Sequence, residues 1–297
     1  MAEGSVMPYE ASFSGVTIVE SVDRGRAGRR LADDIGALIA ASGHSLSVEY
    51  RPVYDRKEFV SELTSLAERA RAGSRPMLHL ECHGSVDGIQ LESGEQINWA
   101  DLTPLLIDIN VATRCNLLVV MAACYGANLV ATLSPEGRAP CWGFFGPPEE
   151  VKLGELSVAY GDFYRTAIFE GDPLAAAKKL IEPREGKQRY MLMLASVYFT
   201  QLFARYLAHY CTDAKLLERA KELSHRARAE NAPQKPGPGR MHRMIRRKHP
   251  KSFRKIATEY FMVDLFPENA NRFPVSYEEA LSEAEGIAGR TLNVARA

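Results

Sequence analysis

Two stretches of this chain end alike. MLHLECHG (77–84) is a largely apolar run closed by His83 and Gly84, and LLVVMAAC (117–124) is a second apolar run closed by Cys124. A cysteine is a nucleophile only as the thiolate, and a free cysteine is mostly thiol at neutral pH. A histidine beside it would take that proton and return it to a leaving amine. Gly84, with no side chain, lets the backbone pass close to a substrate. Its amide and that of Cys124 together would hold the oxyanion of a tetrahedral intermediate. The set supplies nucleophile, base and oxyanion donors, and needs neither metal nor cofactor. Each member alone is a weak signal. A cysteine at a strand end is most often a small buried hydrophobe, and a lone histidine is most often structural. The weight comes from two such residues at matching places after two apolar runs.

Elements that would bring the two together are legible along the first half of the chain. GVTIVESV (15–22), SLSVEYRPV (45–53), the end of GSRPMLHLECHG, CNLLVVMAAC and APCWGFFG (139–146) read as strands. GRRLADDIGALIAAS (28–42) reads as a helix stopped by Gly43, and a second helix carries Phe59, Leu63, Leu66 and Ala70 behind an Asp55/Glu58 capping box. DGIQLESGEQIN (87–98) reads as a small hairpin turning at Ser93 and Gly94, with Asn98 placed to cap the next helix. ELSVAYGDFYRTAIFEGD and PLAAAKKL supply two more helices. Strands alternating with helices predict an α/β fold, a mostly parallel sheet covered on both sides. Sites in such sheets form at the carboxyl ends of the strands, where His83 and Cys124 both fall. YGANLVATL after Cys124 would be a helix whose N-terminal dipole favours the thiolate.

The pattern changes after about residue 185. RYMLMLASVYFTQLFARYLAHY places Leu194, Tyr198, Leu202 and Tyr206 on one helical face, and the helix would continue through AKLLERAKELSHRARAE. NAPQKPGPGR (231–240) reads as a linker or exposed loop. The run 240–255 then holds eight Lys or Arg and no acid. A last helix comes after Ser276 as its cap. The expected organisation is one domain over 1–184 and a helical C-terminal extension over 185–297, with the Pro/Gly-rich linker and basic segment at 231–255.

The residues around the pair also carry a resemblance. LHLECHGSVDGIQLESGEQINWADL and then CNLLVVMAACYGANL resemble the CHAT family of caspase-like (clan CD) cysteine peptidases: a strand ending in His-Gly, a small hairpin, an ADL-type helix start, then a strand ending in Ala-Cys. GFFGPPEEVKLGELSVAYGDFYRTAIFEGDPLAAAKKL is similar to that family's closing strand and helices, so the resemblance spans about residues 15 to 182. It implies a caspase-like three-layer sandwich. It also implies a catalytic dyad, His83 as base and Cys124 as nucleophile, acting on peptide bonds. The family often has Gly where Glu81 stands, and Ser or Glu where Tyr125 stands. In several clan CD peptidases an acid after the first strand lines the specificity pocket, which makes Asp23 a candidate substrate-binding residue. Arg24 and Arg26 beside it would equally select an acidic residue, and a helix-capping Asp in a solvated loop is the plainer reading. Glu81, near the cleft, is a second candidate for selecting substrate charge. His79, Glu81 and His83 share one face of their strand, with His79 read as structural, while Cys82 points to the opposite, core face.

Composition bounds the remainder. At 297 residues the chain can bury about 75% of the surface its unfolded form exposes and needs no disulfide or metal to hold it. Thirty-seven Lys plus Arg balance thirty-seven Asp plus Glu, so net charge argues for neither nucleic acid nor membrane. Five cysteines without CxxC spacing fit a reducing compartment and no zinc site. No signal peptide is legible at the N-terminus, and no apolar run reaches the ~18 residues of a membrane span. A cytoplasmic location is expected. The basic run 240–255 reads as a solvated or partner-facing surface; Phe253 is its one ring besides histidines, which makes nucleic-acid contact at most indirect. The expectation is a cysteine endopeptidase that cuts a protein partner under the control of a regulatory partner or of its own extension, with a bacterial antiviral defence or regulated-death role implied by the resemblance. The alternative is a non-catalytic caspase-like or flavodoxin-like scaffold that binds a protein.

Overall fold

The structure is a computed structural model, and it describes residues 11–22, 26–182, 189–230, 236–289 and 292. Asp23 and Arg24, and residues 231–235 of the expected linker, lie outside the described residues. The described chain divides into two compact units.

The first unit is built on one sheet. In chain order it holds β1 (Gly15–Ser21), α1 (Ala27–Ser42), β2 (Ser47–Pro52), α2 (Arg56–Arg71), β3 (Pro76–Gly84), the hairpin strands β4 (Gly88–Gln90) and β5 (Gln96–Asn98), α3 (Trp99–Ala112), β6 (Leu118–Ala122), a 3-10 helix over Gly126–Thr132, β7 (Gly143–Gly146), α4 (Leu153–Glu170), α5 (Pro173–Ile181) and β8 (Met191–Leu194). The strands lie in the order β2-β1-β3-β6-β7-β8. The first five are parallel and β8 is antiparallel to β7. The α/β fold with a mostly parallel central sheet is therefore present. The chain steps from β1 outward to β2, then returns to the other side of β1 with β3. The carboxyl ends of β1 and β3 thus flank the switch point at which such sheets bind ligands.

Side-chain alternation sorts the sheet into two faces. Leu78, Leu80 and Cys82 of β3 and Val119, Met121 and Ala123 of the β6 segment pack with Phe59, Leu63 and Leu66 of α2 and Leu102, Leu106 and Ile109 of α3. The intervening residues face the other way, where His79 of β3 meets Tyr160 and Tyr164 of α4. Cys82 is in the core as read from the sequence. Asp55 caps α2 by accepting the Glu58 amide at 2.8 Å, while Glu58 reaches back to the Tyr54 amide. Asn98 stands at the N-cap of α3, but its side chain makes no capping bond.

The sheet unit continues past residue 184 into β8. Met191–Leu194 pairs with the open edge of β7, Gly143 opposite Leu194, so the sheet unit runs to Ala195. MLML is apolar on both faces and suits a buried strand or a buried helix equally. The unfilled edge of β7 decides, because a strand there satisfies backbone groups that a helix would leave exposed.

The second unit comprises the described chain from Ser196, with Pro135–Arg138. It holds most of α6 (Ala195–Tyr210), and α7 (Asp213–Ala229), α8 (Pro238–Tyr260), α9 (Asn269–Arg272) and α10 (Tyr277–Ala288). Helices α6 and α7 are separate, not one continuous helix. The buried face of α6 is Phe199, Phe203 and Leu207, one residue later than the stripe expected from Leu194. Phe199 touches Phe203, Phe253, Tyr260 and Phe261, an aromatic centre that gathers α6 and α8. Pro238 stands in the first turn of α8, where its missing N–H costs nothing. The basic run is therefore helical: Arg243, Arg247, Lys248, Lys251, Arg254 and Lys255 are exposed, while His249 and Phe253 are buried. Ser276 caps α10, accepting the Glu279 amide at 3.1 Å.

Candidate active site

The parallel register of β3 and β6 places Glu81 opposite Ala122. His83 lies two residues beyond Glu81 on β3, and Cys124 two residues beyond Ala122, in the turn that follows β6. The backbone itself is close at this point. A Cβ added to Gly84 would lie 2.0 Å from the Cys124 carbonyl oxygen, 2.9 Å from its amide nitrogen and 3.0 Å from the Ala123 Cβ. Gly84 does not have a positive φ. It is required by this close approach, not by backbone conformation.

His83 is exposed, and its strand is extended into the hairpin by pairing with Gln90 of β4. Cys124 is half-buried, the one cysteine among the described residues that is not fully buried. Its thiol donates to the Val151 carbonyl at 3.6 Å, just before α4 begins. Val151 lies two residues before α4. Alternation along β3 puts the side chain of His83 on the same side as those of His79 and Glu81.

The expected helix dipole behind Cys124 is corrected. Tyr125 turns the chain through the left-handed region at φ 57°, and the chain then enters a seven-residue 3-10 helix. The amides of Tyr125, Gly126 and Ala127 are taken by the carbonyls of Glu149, Ala123 and Pro147. Among the described residues no α-helix starts behind the sulfur, so no α-helix dipole acts on the thiol.

Behind the pair is a buried polar layer. Glu20 of β1 stands opposite Glu81 of β3. Glu20 has both oxygens committed, accepting the Gly28 amide at 2.8 Å and the Tyr50 hydroxyl at 2.5 Å. It thereby ties down the first turn of α1. Burial, reinforced by that bond, pushes the Tyr50 phenol above its ordinary range, so it remains a donor. Glu81 shares one oxygen with His79 Nε2 at 3.1 Å, and His79 Nδ1 meets the Tyr164 hydroxyl at 3.2 Å. The structural reading of His79 fits this place, fully enclosed between β3 and α4. Burial likewise raises the phenols of Tyr160 and Tyr164 well above their usual range. Tyr160 donates to the Met121 carbonyl at 2.7 Å, which pins α4 to β6 three residues before Cys124.

Glu81, Tyr160 and Ser157, with Ala27, Arg30, Leu31 and Asp34 of α1, line a cavity of about 290 Å³. The α1 and α4 residues of this lining were not legible as site residues. Asp34 is one of two adjacent acids in α1; it stays exposed and borders the cavity. Asp23 lies outside the described residues, so its candidate role has no structural counterpart.

No family model matches the chain, and no curated protein matches it. A solved structure similar to it is the Drosophila initiator caspase Dronc, at 9% identity and a TM-score of 0.45, over 64% of this chain and 85% of that one. The fold assignment rests on the chain's own sheet and helices. Among the described residues no helix is long and apolar enough to cross a membrane.

Proposed function

We propose that the chain is a cysteine endopeptidase in which His83 and Cys124 form the dyad. The observation that carries this reading is the crowding at Gly84. The residue after the histidine touches the backbone of the cysteine, so the two strand ends cannot be far apart. His83 takes the thiol proton, releasing Sγ from its bond to Val151. The thiolate attacks a peptide carbonyl. The amides of Gly84 and Cys124 lie on the two strand ends that meet, suited to receive the oxyanion. His83 then protonates the leaving amine, and water attacks the thioester to free the acid and restore the thiol. The resemblance to the CHAT family supports the same dyad and suggests a protein substrate in the cytoplasm, a regulatory partner, and antiviral defence as setting. The basic face of α8 is an available surface for such a partner.

The test is alkylation and peptide hydrolysis by the purified chain. A peptidyl electrophile should label Cys124, and His83→Ala should slow that labelling by about 10²-fold or more, the usual contribution of a positioned base. A second reading, a scaffold with an inert Cys124, draws on the Val151 bond, which already occupies the sulfur. Equal labelling rates with and without His83 would favour the scaffold.

A further inference from the structure

We infer that the cavity lined by Glu81, Asp34 and Tyr160 is the pocket for the side chain preceding the scissile bond, and that it takes lysine or arginine. This inference rests on the proposed dyad. Three features support it: position, chemistry and an unfilled valence.

The cavity lies between the first two turns of α1 and the second turn of α4, with Glu81 of β3 in its wall. Glu81 stands two residues before His83 on the same strand face, a separation of about 7 Å along the strand. The thiol is held toward Val151, two residues before α4, the helix that supplies Ser157 and Tyr160 to the cavity. A substrate backbone lying across His83 and Cys124 would therefore have this cavity below it. A lysine places a compact charge at the end of a four-carbon stem, which suits that depth.

The walls suit a long stem with a cationic head. Ala27, Leu31 and the ring of Tyr160 offer apolar contact for methylenes. Glu81 and Asp34 offer two carboxylates. Of the two acids facing each other across β1 and β3, Glu20 is saturated by Gly28 and Tyr50. Glu81 is only 5% exposed and commits just one oxygen, to His79, so its other oxygen has no protein partner among the described residues. That oxygen is not sealed from solvent, so it is open to a cationic donor entering the cavity. Arg30, the one cation of the lining among the described residues, already has a partner within the protein. Arg26, which would have suited an acidic substrate, is exposed at the start of α1 and is absent from the lining.

The experiment compares three acyloxymethyl ketones that share one peptide and differ only in the last residue, Lys, Leu or Asp. Labelling of Cys124 should be at least tenfold faster with Lys than with the other two. Glu81→Gln and, independently, Asp34→Asn should bring the Lys/Leu rate ratio toward one. Using the ratio within each variant removes any general change in thiol reactivity or stability. Leu or Asp labelling as fast as Lys, or an unchanged ratio in both variants, overturns the inference. Benzamidine binding to Cys124→Ala, measured by calorimetry, reads the pocket without catalysis. Saturable binding that Glu81→Gln abolishes supports the pocket even if His83→Ala proves silent and the peptidase reading falls. Absence of binding, with Cys124 labelling still dependent on His83, overturns the pocket alone.

Discussion

Replacing Gly84 by alanine asks directly whether the two strand ends must touch. The added methyl would sit 2.0 Å from the Cys124 carbonyl oxygen. Non-bonded heavy atoms settle near 3.5 Å, so the ends must separate by about 1.5 Å. The obstacle is backbone on both sides, and no rotamer change relieves it. Overpacking of this kind destabilises by about 1–3 kcal/mol, which a chain of this size tolerates. The consequence for chemistry is larger, because a misplacement of about 1 Å between reacting groups costs on the order of 10²-fold. The expected result is a folded Gly84→Ala protein in which peptidyl labelling of Cys124 and any peptide hydrolysis fall by about 10²-fold. A double-mutant cycle sharpens it. Removing His83 should slow labelling strongly when Gly84 is present and hardly at all when alanine replaces it. A Gly84→Ala protein with unaltered labelling rate and unaltered dependence on His83 would refute the reasoning.

Other perturbations have equally definite outcomes. Under native conditions a small alkylating agent should modify Cys124 alone, read by peptide mass spectrometry, because burial raises the thiols of Cys82 and Cys141 well above their ordinary range and that of Cys211 to about 11; prompt modification of any of these three in the folded chain would contradict this. In the second unit, burial, with Arg219 and Arg246 nearby, lowers His249 from 6.5 to about 4, and its Nε2 lies 3.7 Å from the Cys211 sulfur. The unfolded chain then binds a proton that the folded chain refuses, so His249 contributes full stability above about pH 6.5 and loses it as pH falls toward 4, by an amount of order 3 kcal/mol. Urea titrations of wild type and His249→Gln across that window should diverge in slope, and parallel curves would remove His249 as the cause. Asp55→Ala should lower stability by about 1 kcal/mol through loss of the α2 cap, measured by the same titration, with no change expected in Cys124 labelling.

The sequence by itself determined most of the strands and helices and the two residues most suited to chemistry. Apolar runs closed by His83-Gly84 and by Cys124 are local signals, and so are the caps at Asp55 and Ser276. Alternation along β3 also sorted His79, Glu81 and His83 from Cys82, because the two-residue period of a strand needs no knowledge of its neighbours. Pairing and packing decided the rest. MLML became β8 only because β7 offered an open edge. The residues after Cys124 formed a tight 3-10 turn because the carbonyls of Glu149 and Pro147, about twenty residues later, captured its amides. Asp34 and Tyr160 became walls of one cavity because α1 and α4 pack side by side on one face of the sheet. The division between Glu20 and Glu81 was likewise invisible in one dimension. Both are acids near strand ends, yet the tyrosine of β2 and the amide of α1 saturate the first and leave the second an oxygen to offer. Local chemistry names candidates; long-range hydrogen bonds and packing choose among them, since only the folded chain fixes which donors each group can reach.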